Sequence, residues 1–237
     1  MNTLARSLLV LVLARSAPGF AATFTVGADP ACTHATLAQA VAAAAANGPA
    51  HDEIRLVAAP GLMLAAPLVI DQQSLAIIGG YATCDAAEPT GTTSYALLAG
   101  DGFMVHGGNI DNGHEVSLSR IALVGEAGAK RLLAIDGFVA VTLDQADLSG
   151  GHAVDGAGIH LVSPAKLSLE TDARIHHNVA SNNGGGIYCG FAAKIALGLA
   201  TSIDANTAGA AGGGAYLDGC TLTATTANSA MTRGRRG

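Results

Sequence analysis

Tryptophan is absent from this chain of 237 residues, aromatic residues make up 4% of it and charged residues only 13%. With so little charge, long amphipathic helices would have nothing to wet their outer faces, which excludes a helical bundle as the main architecture. With so few large rings, the core must be built from small and branched aliphatic side chains. Long apolar runs are missing too. The stretch from Leu8 to Ala14 stops at Arg15 and falls well short of the about 20 residues that cross a bilayer. No later segment does better, so no transmembrane segment is expected in the mature chain. No CxxC pair or His/Cys cluster has zinc spacing, and neither a metal nor another cofactor is expected.

What the chain does have begins at its N-terminus. "MNTLARSLLVLVLARSAPGFAATFTV" carries a positive Arg6, a short apolar core and small residues around Ala21 and Ala22. It reads as a secretory signal peptide over residues 1–22, cut after Ala21 or Ala22. The product is expected to be exported to the periplasm, the cell surface or outer membrane, or the medium. Without Arg6 and Arg15 the mature chain holds 10 Lys+Arg against 18 Asp+Glu, a net charge near −8. That argues against nucleic acid or anionic lipid as the main partner. The basic cluster "RGRRG" lies in a terminal stretch, 229–237, that reads as a disordered tail. Four cysteines in an exported chain are expected to form disulfides. Three pairings exist, and closeness along the chain favours Cys32 with Cys84 and Cys189 with Cys220.

Glycine is abundant, at 31 residues, and it repeats. "GAGIHLV", "GGGIYCG" and "GGGAYLDG" place Gly158, Gly186 and Gly214 at intervals of 28. The same step relates Leu167 and Leu169 to Ile195 and Leu197, Ile175 to Ile203, and Asn178 to Asn206. "TLTAT" at 221–225 follows at 27, and "VSLSRIALVGE" matches "VTLDQADLSGG" at 25. "SLAIIGGY" at 74–81 is a degenerate member. Three alternating runs in each period of 25 to 28 residues predict one turn of a parallel β-helix. One parity of each run (Ile159/Leu161, Ile187/Cys189, Ala215/Leu217) points inward. The glycine triplets are read as corners that need positive φ, and Asn178 and Asn206 as a stacked corner ladder. The fold class is therefore an all-β, single-stranded parallel β-helix of about six to seven coils over residues 54–228, right-handed by the crossover rule. Residues 23–53 supply a short strand and a capping α-helix, with a capping box at Thr36/Gln39, an apolar stripe of Leu37, Ala40, Val41 and Ala44, and a stop at Asn47-Gly48. After "CTLTATTAN" no further coil is legible, so a partner or a missing segment is expected over the last coil, and a truncated fragment of a larger surface protein is one reading.

With "DEIRLV", "SLAIIGGYATC", "VSLSRIALVG" and "NVASNNGGGIYCG" in place, residues 23–228 resemble bacterial right-handed parallel β-helix proteins of the pectin-lyase-like fold. The likeness is nearest to those with polymorphic-outer-membrane-protein or autotransporter-passenger-type repeats. That scaffold hosts adhesins, toxins and polysaccharide-cleaving enzymes. The enzymes the resemblance implies use a base, acidic calcium ligands or clustered aspartates. Here Asp136, Asp144, Asp147, Asp155 and Asp172 are scattered, and no "NTD", "DD" or "GHG" signature occurs. Two candidate sites emerge from the residues. "DARIHHN" puts Asp172, Arg174 and His176 on one strand face, a set able to hold an acidic sugar or assist proton transfer; the alternative is a solvated polar turn. His160, Tyr188 and Tyr216 stack in register as an outer ladder that would pack on pyranose C–H faces; the alternative is a ladder that only stabilises the sheet. The favoured expectation is a non-catalytic, exported, adhesin-like protein binding glycan or a cell-surface ligand, with a polysaccharide lyase or hydrolase as the alternative.

Overall fold

The computed structural model describes residues 21–225 and the backbone of Ala230–Met231. The expected signal peptide, up to residue 20, and the rest of the expected basic tail lie outside the described residues. The chain winds as a parallel solenoid of about 7 turns. Each turn runs through three long sheets in the same order. Asp52–Val57, Leu62–Leu64 and Leu68–Asp71 make the first full turn, and Leu75–Tyr81, Thr93–Gly100 and Phe103–His106 make the second. The equivalents form an eight-stranded, a seven-stranded and a six-stranded sheet, all pairing in parallel.

The register is the one the repeats specify. Val141 pairs with Val116 and Leu143 with Leu118, Leu148 with Leu123, Leu167 with Ile195, Ile175 with Ile203, and Ile195 with Leu222. Like side chains thus stack along the axis, about 4.8 Å per rung. They merge into one core reaching from Val26 to Ile203. Each fully buried Leu or Ile contributes about 1.5–3 kcal/mol, so a chain poor in aromatics still acquires a continuous interior.

The helix spans Leu37–Asn47, opens on the reciprocal Thr36/Gln39 capping box, buries Leu37, Ala40, Val41 and Ala44, and stops at Gly48 with φ +102°. It packs on Thr23–Val26 and Asp52–Val57, closing the first turn as expected. Thr23–Val26 is also the first rung of the eight-stranded sheet, paired with Asp52–Val57. Cys32 is bonded to Cys84 and Cys189 to Cys220, with Cα atoms 5.3 and 5.7 Å apart.

Four features differ from the sequence reading. A short fourth sheet, His152–Ala153, Val179–Ala180 and Thr207–Ala208, is inserted in the later turns and seals a small alanine cluster. Two-residue strands of small side chains carry no readable alternation, so no pattern in the sequence marks them. In the triplet at 184–186 only Gly184 has positive φ, +64°; Gly186 is needed because a side chain there would strike the carbonyl of Gly214 and lie 2.8 Å from Asn206 Nδ2. The corner between the eight- and seven-stranded sheets is turned by a non-glycine residue at positive φ in four successive turns: Arg120, Gln145, Asp172 and Ala200, at +54°, +50°, +53° and +58°. Finally, Leu217 is 44% exposed rather than inward, because among the described residues no later rung of its sheet covers it.

Candidate functional site

The outer column of the six-stranded sheet is built by register alone. Ala134 pairs with His160, His160 with Tyr188, and Tyr188 with Tyr216. The His160 and Tyr188 rings are stacked at 5.0 Å with planes 9° apart, and Tyr188 and Tyr216 at 5.7 Å and 24°. All three are partly exposed. Upward the column continues through Ala134 to Met104 and Val69, so the aromatic rungs end an apolar stripe six rungs long. The upper half was invisible in the sequence, because the early coils have irregular corner lengths.

Electrostatics around the ladder are set by burial and by a few charges. Burial holds the His160 pKa below its ordinary 6.5, helped by Arg131, while Asp155, Asp101 and Asp136 pull the other way. The ring is neutral at physiological pH. The Tyr188 hydroxyl donates to Asp218 Oδ2 at 3.1 Å, and burial first, then this hydrogen bond, raises its pKa, keeping the donor protonated. Beside the ladder, Asp155 Oδ1 accepts from Asn182 Nδ2 and the Asn183 N–H at 3.0 and 2.9 Å. A neighbouring groove is lined by Asp101, Lys130, Arg131 and His152, and Arg131 Nε is buried there without a hydrogen-bond partner among the described residues. Because the rings face one another along the column, they present a row of ring edges bordered by hydrogen-bond donors and acceptors.

The second candidate comes together differently. Asp172 is not on the strand but in the positive-φ corner before Arg174–His176. The carboxylate that meets His176 is Asp147 of the preceding turn, its Oδ1 2.8 Å from Nε2. His176 Nδ1 is 2.6 Å from Nδ1 of His177, itself a positive-φ corner residue at +54°. Arg174 is exposed and lies between Asp147 and Ser202 in register. The patch is a polar face with one His–Asp pair.

A third cluster had no signal in the sequence. Asp71, His106 and Asp136 occupy one column of the six-stranded sheet, and His106 Nδ1 lies 2.9 and 2.8 Å from the two oxygens of Asp136. They line a groove with Asn109, Phe138 and Ser163. The spacings from 71 to 106 and from 106 to 136 follow no common period, so only the folded register unites them. Among the described residues no group of three or more His, Cys, Asp or Glu is arranged to hold a metal ion, and no helix is long and apolar enough to cross a membrane. Compared with family models, with curated proteins and with solved structures, the chain matches none.

Proposed function

We propose that this chain is a non-catalytic, exported, adhesin-like surface protein that binds glycan along the outer face of its six-stranded sheet. In this reading the coil is right-handed and of the pectin-lyase-like type, with autotransporter-passenger-like repeats. The observation that carries it is the stack of His160, Tyr188 and Tyr216, whose rings lie 5.0 and 5.7 Å apart on a partly exposed face. A carbohydrate would lie along the column against the ring edges, its hydroxyls on Asp218, Asp155 and Arg131. Replacing Tyr188 and Tyr216 together with Ala is expected to weaken binding to a glycan array by at least tenfold, at about 1 kcal/mol per ring contact, while the circular dichroism of the fold is kept. Unchanged glycan binding in the folded double variant would remove the platform.

A polysaccharide lyase or hydrolase is the second reading, favoured by the Asp71, His106 and Asp136 column in its groove. An imidazole held by one carboxylate beside a second has the parts of a general base or acid. Incubation with pectate and alginate, read by unsaturated-product absorbance and by new reducing ends, separates the two readings. Turnover that is lost in His106→Ala but kept in His176→Ala would replace the binding proposal with an enzymatic one.

A further inference from the structure

Asp52 is the only buried acidic residue among the described residues, at 1% exposure. It opens the strand Asp52–Val57. Its Oδ1 accepts the N–H of Ala22 at 2.7 Å and Nδ2–H of Asn47 at 2.9 Å. Its Oδ2 is equally buried and has no hydrogen-bond partner among the described residues. A buried carboxylate with one oxygen left bare is costly unless a positive charge meets it, and none of the described side chains bonded to it carries one. One of the two groups that donate to it is a backbone nitrogen, at the point where the signal peptide is expected to end.

The two sequence-compatible cuts are not equivalent. A cut after Ala21 puts Gly19 and Ala21 at the two positions that need small residues, whereas a cut after Ala22 puts Phe20 at one of them. The later cut would also delete the Ala22 N–H that Asp52 accepts and the Ala22 carbonyl that accepts the Glu53 N–H at 2.8 Å. We infer that the chain is processed between Ala21 and Ala22 and that the new α-ammonium of Ala22 is the counter-ion of Asp52. An endopeptidase of the export machinery adds water across the Ala21–Ala22 amide. The C–N bond breaks, Ala21 leaves with the leader as a carboxylate, and the Ala22 nitrogen takes up protons to become an ammonium. One N–H donor thereby becomes three, carrying a full positive charge, at a nitrogen 2.7 Å from Oδ1 of a carboxylate whose Oδ2 has no donor and whose described partners carry no positive charge. Leader removal therefore completes the first turn as well as freeing the chain. The inference rests on the export reading and is independent of the glycan ladder.

Two experiments test it. The full chain is expressed with its leader in a secreting bacterial host, and the exported product is sequenced from its N-terminus; Ala-Thr-Phe-Thr-Val is expected. A start at Thr23, at Met1 or anywhere else overturns the inference. The protein beginning at Ala22 is then compared with one beginning at Ala21, each with Asp52 and with Asp52→Asn. In the Ala22 protein the substitution is expected to raise the unfolding constant at least tenfold, and in the Ala21 protein by less than a third of that factor. Equal effects in the two would mean that no ion pair forms. Should Asp52→Asn fail to fold in either, acetylation of the Ala22 amine with Asp52 intact replaces it: a lowered melting temperature is expected, and an unchanged one overturns the pairing.

Discussion

Asn178 is wholly buried, yet its amide is fully used. Its Oδ1 accepts the Gly151 N–H at 2.8 Å, and its Nδ2 donates to the Leu148 carbonyl and to Asn206 Oδ1 at 3.1 and 3.0 Å. Asn206 repeats the pattern one turn on, donating to the Ile175 carbonyl. The sequence predicted a stacked ladder here; the structure adds that the amides chiefly satisfy backbone groups freed where the chain bends. Asn178→Leu would orphan the Gly151 N–H and the Leu148 carbonyl, at about 1–3 kcal/mol each. A loss of about 3 kcal/mol is expected in urea unfolding, and an undisturbed midpoint would take the ladder out of the stability account. His160 gives a pH dependence of definite sign. Its folded pKa lies below 6.5, so its contribution is complete above pH 6.5 and is lost as pH falls and the unfolded chain takes the proton first. His160→Phe should flatten the drop in unfolding midpoint between pH 7 and 5; a slope equal to that of the parent would contradict the assignment.

At the scale of elements, what was legible followed from repetition. The helix cap, the three long strands per turn and the aromatic ladder each declare themselves by residue type at a fixed offset. Positive-φ corners at Arg120, Gln145, Asp172 and Ala200 did not, because nothing in a side chain marks a strained backbone imposed by its neighbours. For the same reason the alternation in "DARIHHN" points to a strand face shared by Asp172, Arg174 and His176, whereas Asp172 turns the corner before that strand. The rung Ile187–Cys189 and the strand Thr221–Ala224 are tied by Cys189–Cys220 across a separation of 31 residues. Closing such a loop restricts the unfolded chain by about 4 kcal/mol in the chain-entropy account. Replacing both cysteines with Ser should speed amide hydrogen exchange in Thr221–Ala224 well before it affects Val116 or Leu118. Uniform acceleration along the molecule would mean that the bridge acts globally and not on the last turns.

The whole molecule is close to one-dimensional, each turn touching mainly the turns beside it, so its stability should be a sum of turns and their interfaces. Leu118, 1% exposed in a middle turn, is supported from both sides, whereas the half-buried Leu222 has a described rung on one side, at Ile195. Leu118→Ala is expected to cost about 3–5 kcal/mol and to lower the denaturant dependence by splitting the array. Leu222→Ala should cost less than half as much and leave that slope unchanged; equal costs would argue for global cooperativity. The amino-acid sequence by itself determined the solenoid, its period, the parity that faces inward, the capping helix and the ladder of His160, Tyr188 and Tyr216, because stacking like on like needs only a repeated spacing. Tertiary structure alone decided that Asp71, His106 and Asp136 share a groove, that Asp147 is the partner of His176, and that Asp52 meets Ala22. Hydrogen-bond register between turns absorbs corners of unequal length, and so brings together side chains whose separations along the chain obey no common period.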